Sequence, residues 1–222
     1  MTTALTRALA SAVVFCAALT SGTLARAQDE LVIEAGKWKT IPQESGPVNY
    51  YSLVNDPNGA YIHGKYMPGM KTTVLGVDIP SGDRRRIHRV KWTWRAVTLP
   101  NGGDECASGK TDSAAVVYLT WKRGLKYYSL KYVWSAVGQV GRTCERKRNP
   151  FVAQDTIILE SGAPLNMWKS EDIDIQAEFR KRFADNDPNA ELPDFVGLGL
   201  MTDGDQTKSE SAADYGTFYL VR

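Results

Sequence analysis

"SAAVVYLTWKRGLKYYSLKYVWS", residues Ser113 to Ser135, decides the fold. Both halves, Ser113 to Trp121 and Lys126 to Ser135, are rich in β-branched and aromatic side chains, which pack well on a pleated surface and lose rotamer freedom in a helix. A short Lys-Arg-Gly turn separates them, so the stretch reads as a β-hairpin. Upstream, "RVKWTWRAV" repeats with period two. Val90, Trp92, Trp94 and Ala96 face one way while Lys91, Thr93 and Arg95 face the other, the pattern of a half-buried strand.

Working outward, further strands are expected at Lys37 to Ile41, Tyr50 to Val54, Ala60 to Tyr66, Lys71 to Ile79, Asp155 to Glu160, Phe195 to Met201 and Tyr215 to Val221. Turn residues punctuate them at Asp56-Pro57-Asn58-Gly59, Pro68-Gly69, Pro80-Ser81-Gly82-Asp83 and Asn101-Gly102-Gly103. Only "DIQAEFRKRFAD" has a helical period: Ile175, Phe179 and Phe183 fall four apart and stack on one face. Many short strands, one short helix and no alternation of strand with helix specify an all-β fold, an antiparallel two-sheet sandwich.

The first residues do not belong to that fold. Arg7 precedes an apolar stretch from Ala8 to Leu24, and Ala25-Arg26-Ala27 puts small residues where a signal peptidase reads. Residues 1–27 are therefore expected to be a signal peptide, leaving residues 28–222 as one β-sandwich domain, exported to the periplasm or beyond. Cys16 follows Val13-Val14-Phe15, a poor lipidation site because it sets a bulky aromatic where a small residue is needed. Arg7 and Arg26 leave with the leader, bringing the 27 basic residues to parity with the 25 acidic ones. That balance argues against nucleic acid as a partner and gives no general pull toward an anionic surface. Arg84-Arg85-Arg86 and Arg142 to Arg148 are local basic patches within it. No later stretch is apolar enough to span a bilayer, and a monomer is expected.

Two cysteines then remain, Cys106 and Cys144, an even pair in an oxidising compartment. Cys106 lies a few residues before the first hairpin strand and Cys144 a few after the second. A Cys106–Cys144 disulfide would staple the open end of the hairpin, worth about 3–4 kcal/mol by chain entropy.

The segments "KTDSAAVVYLTW", "LKYVWS", "MWKSEDIDIQAEFRKRF" and "VGLGLMTDGDQTKSESAADYGTFYL" together resemble an exported bacterial family, domain of unknown function 3047. The residues that carry the resemblance are Asp112, Lys131, Tyr132, Val133, Trp134, Trp168, Glu171, Asp172, Asp174, Met201, Thr202, Asp203, Asp205, Thr207 and Tyr215. The chain departs from the pattern at Lys126-Tyr127-Tyr128 and in a basic, cysteine-bearing insertion around Gly138 to Asn149. The resemblance implies a jelly-roll-like sandwich similar to carbohydrate-binding and lyase domains, with no assigned activity.

Two constellations carry candidate chemistry. Asp203, Asp205 and Thr207 offer oxygen atoms two residues apart around Gly204, a spacing that could wrap calcium, a hard cation wanting six to eight oxygens. The run lacks the glycine and glutamate of an EF-hand loop, so further carboxylates, such as Asp172, Asp174 or Asp214, would have to join it. The competing reading is a polar turn whose side chains satisfy loop amides.

The second constellation is aromatic. Trp92, Trp94, Tyr118, Trp121, Tyr127, Tyr128, Tyr132, Trp134 and Trp168 are interleaved with Lys91, Arg95, Lys126 and Lys131. Sugar rings stack their C–H faces on such planes while neighbouring polar groups bond the hydroxyls. Tyr132, Trp134, Lys131, Arg95 and Glu171 are the candidate ligand-binding residues, and a glycan or polysaccharide the candidate partner. By alternation Tyr128, Tyr132 and Trp134 share one face, Tyr127 and Lys131 the other, and one of those faces must be core.

No HExxH, GxSxG or phosphate-cradling motif is present, and His63 and His88 lie far apart. A non-catalytic glycan-binding sandwich is the leading expectation. A polysaccharide-acting enzyme is the alternative, as a glycosidase pairing Glu171 with Asp203 or Asp205, or as a lyase using Tyr132, Lys131 and Arg95. A scaffold for another envelope protein, engaged through edge strands or the basic loop, is the third.

Overall fold

The computed structural model describes residues 29–41 and 50–222. The expected signal peptide, with Cys16, lies outside the described residues. Among those described, no helix is long and apolar enough to cross a membrane.

The chain forms β1 (Glu30–Ile33), β2 (Lys39–Thr40), β3 (Tyr51–Val54), β4 (Tyr61–Tyr66), β5 (Val74–Asp78), β6 (Arg89–Thr98) and β7 (Ser113–Arg123). Next come β8 (Lys126–Ser135), β9 (Thr143–Arg148), β10 (Val152–Ser161) and β11 (Lys169–Asp174). The helix α1 (Ile175–Phe183), β12 (Asp194–Met201) and β13 (Ser211–Val221) follow. One sheet runs β11-β6-β13-β4-β3, with β1 pairing on β13, and the other runs β2-β5-β12-β7-β8-β10-β9. The fold is the expected all-β, jelly-roll-like sandwich.

The opening hairpin is β7 and β8, in register from Arg123↔Lys126 back to Ser113↔Ser135. Alternation sets its inner face, where Leu130, Tyr132 and Trp134 meet the inner residues of β6. Trp92 packs against Tyr132 at 6.0 Å and Trp94 against Trp134 at 5.9 Å, which locks one sheet onto the other. Phe218 stacks on Trp92, with ring planes 6° apart. Asp174 caps α1 by accepting from the Gln176 and Ala177 amides, and Phe179 and Phe183 then close one end of the core against Trp121 and Tyr128.

Two details differ from the expectation. β10 runs parallel to β8, whereas every other paired strand is antiparallel to its neighbour. The cysteine-bearing insertion is the cause: it forms β9 at the sheet edge, so the returning β10 fills the place between β9 and β8. Lys37 ends a single 3-10 turn, Ala35–Lys37, instead of starting a strand.

The disulfide joins Cys106 and Cys144, with Cα atoms 5.4 Å apart. It ties the loop before β7 to β9 and so closes the open end of the hairpin, as its position in the sequence implies.

Candidate functional site

The structure separates the five candidate ligand-binding residues. Tyr132 and Trp134 are 2% and 0% exposed, filling the space between the sheets. Neither ring can stack on a sugar, because packing two sheets requires large side chains on the inner faces. Lys131 is also buried, its Nζ 2.8 Å from Glu105 Oε2, and the Ser113 hydroxyl donates to the other Glu105 oxygen at 2.8 Å. This ion pair sits under the disulfide-tied loop, where removing either partner would leave a buried charge unpaired.

Glu171 faces the core edge from β11 and accepts the Trp94 indole N–H at 3.1 Å. Burial raises its carboxyl above the usual range; the Trp94 bond opposes that rise and neighbouring Glu160 adds to it. The carboxylate that gathers with Asp203 and Asp205 is Asp112.

Of the five, Arg95 lines an open cleft. It stands on the outer face of the six-stranded sheet, where alternation along β6 predicts it. Its guanidinium lies 4.7 Å from the centroid of Trp168 and 5.4 Å from that of Tyr61, and these two rings meet edge to face at 5.6 Å. Beneath it, the buried Asp214 holds Arg95 Nε at 2.6 Å through one oxygen and His63 Nδ1 at 2.6 Å through the other. A carboxylate paired with arginine only accepts, so the shared proton sits on His63 Nδ1 and Nε2 is left as the second ring atom.

Arg95, Tyr61 and Trp168 line a cleft of ≈ 500 Å³. Thr93, Thr217 and the Asp56–Asn58 turn add polar groups to its wall, and Tyr219 a second phenol. Gly216 makes room at the floor, since a Cβ there would lie 2.3 Å from the Thr93 hydroxyl. Trp168 is 41% exposed. Indole, phenol, guanidinium and hydroxyl groups around one concavity suit a ligand that is apolar on its faces and polar on its rim.

The acidic loop is a second feature. Ligand oxygens of Asp112, Asp203 and Asp205 lie within 4.8 Å of one another. Asp203 Oδ1 accepts from the Thr72 hydroxyl at 2.6 Å and from the Gly204 and Asp205 amides. Burial raises the Asp203 carboxyl above its ordinary range, the Thr72 bond works against this, and Asp205 and Asp112 add to it. The Thr207 hydroxyl pairs with Ser209 at 2.7 Å, and Asp112 accepts the Thr207 amide. Asp172, Asp174 and Asp214 stay away, engaged with Arg89, the α1 cap, and His63 with Arg95.

A longer trough of ≈ 900 Å³ crosses the outer face of the seven-stranded sheet. Gly199 lies opposite Gly76 in its floor, with Tyr118 beside it and Tyr127 at the end nearest the β7–β8 turn. Its lining is mainly apolar, and it has no exposed indole.

Fold and site together define a two-sheet, disulfide-tied β-sandwich with an aromatic and arginine cleft on one outer face. The chain belongs to the family described as protein of unknown function (DUF3047), whose pattern matches residues 37–219. A comparison with curated proteins finds no match. Among solved structures, the chain is similar to the family 11 carbohydrate-binding module of the cellulase Lic26A-Cel5E of Clostridium thermocellum. Identity there is 10%, with 88% of this chain and 95% of that one covered, at a TM-score of 0.47. It is also similar to endoglucanase 3 of family GH12 from Trichoderma harzianum, at 9% identity over 84% of this chain and 99% of that one, with a TM-score of 0.44.

Proposed function

We propose that the protein is an exported, non-catalytic glycan-binding sandwich that takes sugar in the Trp168–Tyr61–Arg95 cleft. The observation that carries this reading is the exposed Trp168 indole set against Arg95 at the mouth of a polar-rimmed concavity. A pyranose stacked on Trp168 would find hydroxyl partners in Arg95, Thr93 and Asn58. Removal of residues 1–27 and release of residues 28–222 as one unit into the periplasm or beyond accord with the disulfide.

The test is a panel of cell-envelope and plant polysaccharides scored by melting temperature, because a ligand bound only to the native state stabilises it by mass action. At least one glycan raises the melting temperature, no reducing ends or unsaturated products accumulate, and Trp168→Ala weakens binding about tenfold or more. A panel that moves nothing overturns the reading.

A polysaccharide-acting enzyme is the second reading, and one observation favours it: Asp214 orients His63, two residues along β4 from the cleft residue Tyr61, as a base would be oriented. Product formation abolished by His63→Ala would transfer the assignment to it.

Asp112, Asp203 and Asp205 supply the donor set that calcium prefers, and calcium bound there would tie the loop after β12 to the start of β7. Adding calcium then raises the melting temperature, a chelator reverses this, and Asp205→Ala removes the response. A response unchanged in Asp205→Ala leaves the loop as a turn only.

A further inference from the structure

One end of the seven-stranded sheet exposes apolar side chains beside lysines. There the β7–β8 turn and the β9–β10 turn lie side by side, joined by the Tyr127 amide donating to the Phe151 carbonyl at 2.8 Å. Three apolar side chains project from them: Leu125 is 78% exposed, Phe151 60% and Tyr127 41%. An aliphatic tip between two aromatics in open water is costly, since each such side chain gains by leaving it.

Cations surround this tip. Lys122 is the cross-strand partner of Tyr127 and lies over its ring at 4.8 Å, and Lys126 lies over Tyr128 at 5.3 Å. Arg123 faces Lys126 across the turn, and Lys147 and Arg148 end β9 on the neighbouring side. The carboxylates nearby are already engaged: Asp155 with Arg148, and Asp194 with Arg85. Among the described residues no carboxylate pairs with Lys122 or Lys126. Two ammonium groups resting over phenol rings beside exposed apolar tips form an arrangement suited to a lipid interface, where apolar groups insert and the ammonium groups swing to phosphates.

We infer that this end of the sandwich docks on an anionic phospholipid surface, with Leu125 and Phe151 entering the headgroup layer and Lys122 and Lys126 paired with lipid phosphates. Charge complementarity selects the partner, because Lys122 and Lys126 flank the apolar tip without a carboxylate partner among the described residues, and a neutral apolar surface would supply none. The chain's overall balance of charge is no obstacle, since attraction within a Debye length depends on the local patch. The inference is independent of the cleft, which lies on the other sheet. A docked molecule would keep Trp168 exposed to solvent and to soluble sugar.

The test is co-sedimentation of the protein with vesicles of phosphatidylglycerol mixed into phosphatidylcholine, against vesicles of phosphatidylcholine alone. The protein partitions onto the mixed vesicles only. The pair Lys122→Gln with Lys126→Gln lowers partitioning about twentyfold, at roughly fivefold per lysine. The pair Leu125→Ser with Phe151→Ser lowers it about tenfold or more. Val137→Ser changes an equally exposed valine past the opposite end of β8 and leaves partitioning unchanged. All these side chains are exposed or half-buried, and unchanged melting curves separate lost docking from lost folding. Partitioning onto neither vesicle, or equally onto both, overturns the inference. So does full retention by the Leu125 and Phe151 pair alongside loss in the lysine pair, which would make the patch a binder of soluble polyanions.

Discussion

At the residue scale, the same side-chain type does opposite work depending on which face of a strand it occupies. Trp94 is fully buried, so Trp94→Ala should cost about 3–5 kcal/mol in urea unfolding. Trp168 is exposed, and Trp168→Ala should cost less than about 1 kcal/mol. Alternation put Arg95 and Lys91 on a face opposite Trp92 and Trp94 correctly. It could not say whether Tyr132 or Tyr127 would be the outward ring, because β8 carries aromatics on both faces. Asp203 makes a pH prediction. Burial raises its folded carboxyl above the ordinary aspartate value, so between the two the folded state holds a proton that the unfolded chain has released. Stability contributed by this group therefore grows as pH falls from the raised value toward the ordinary one, and is lost as pH rises through the raised value. Without calcium, the melting temperature of the parent should gain on Asp203→Asn between neutral and mildly acid pH. Thermal melts of both forms across that range check it, and parallel curves would contradict it.

At the element scale, the strands that the sequence left unmarked explain themselves. β9 (TCERKR) and β11 (KSEDID) are edge strands, and β1 pairs on one side only. Edge strands carry charge that discourages pairing with other chains, which erases the apolar alternation by which central strands are read. β11 is exposed or half-buried throughout, so it reads as loop until its ladder with β6 is seen. Trp168, just before it, was visible as an aromatic, but its meeting with Arg95 depends on that unread ladder. The disulfide was legible because its two cysteines flank a strongly marked hairpin. It spans 38 residues, so Cys106→Ala with Cys144→Ala should cost about 4 kcal/mol by chain entropy, measured by denaturant unfolding against the oxidised parent. An equally stable double variant would show that the buried Lys131–Glu105 pair holds the loop unaided.

At the scale of the whole molecule, the period-two pattern was enough to specify two facing sheets, while the site needed the order in which strands enter them. Arg95, Tyr61, His63, Asp214 and Trp168 come from β6, β4, β13 and the approach to β11, segments remote in sequence that only sheet order makes neighbours. The six tryptophans then supply a direct probe of the cleft. Trp38, Trp92, Trp94, Trp121 and Trp134 are at most 9% exposed, so iodide quenching of the emission reports on Trp168. The decisive measurement is iodide quenching with and without a glycan that raises the melting temperature. Sugar stacked on Trp168 should remove most of the quenchable emission. A glycan that stabilises the protein yet leaves quenching unchanged would contradict the cleft assignment and move the ligand to another surface.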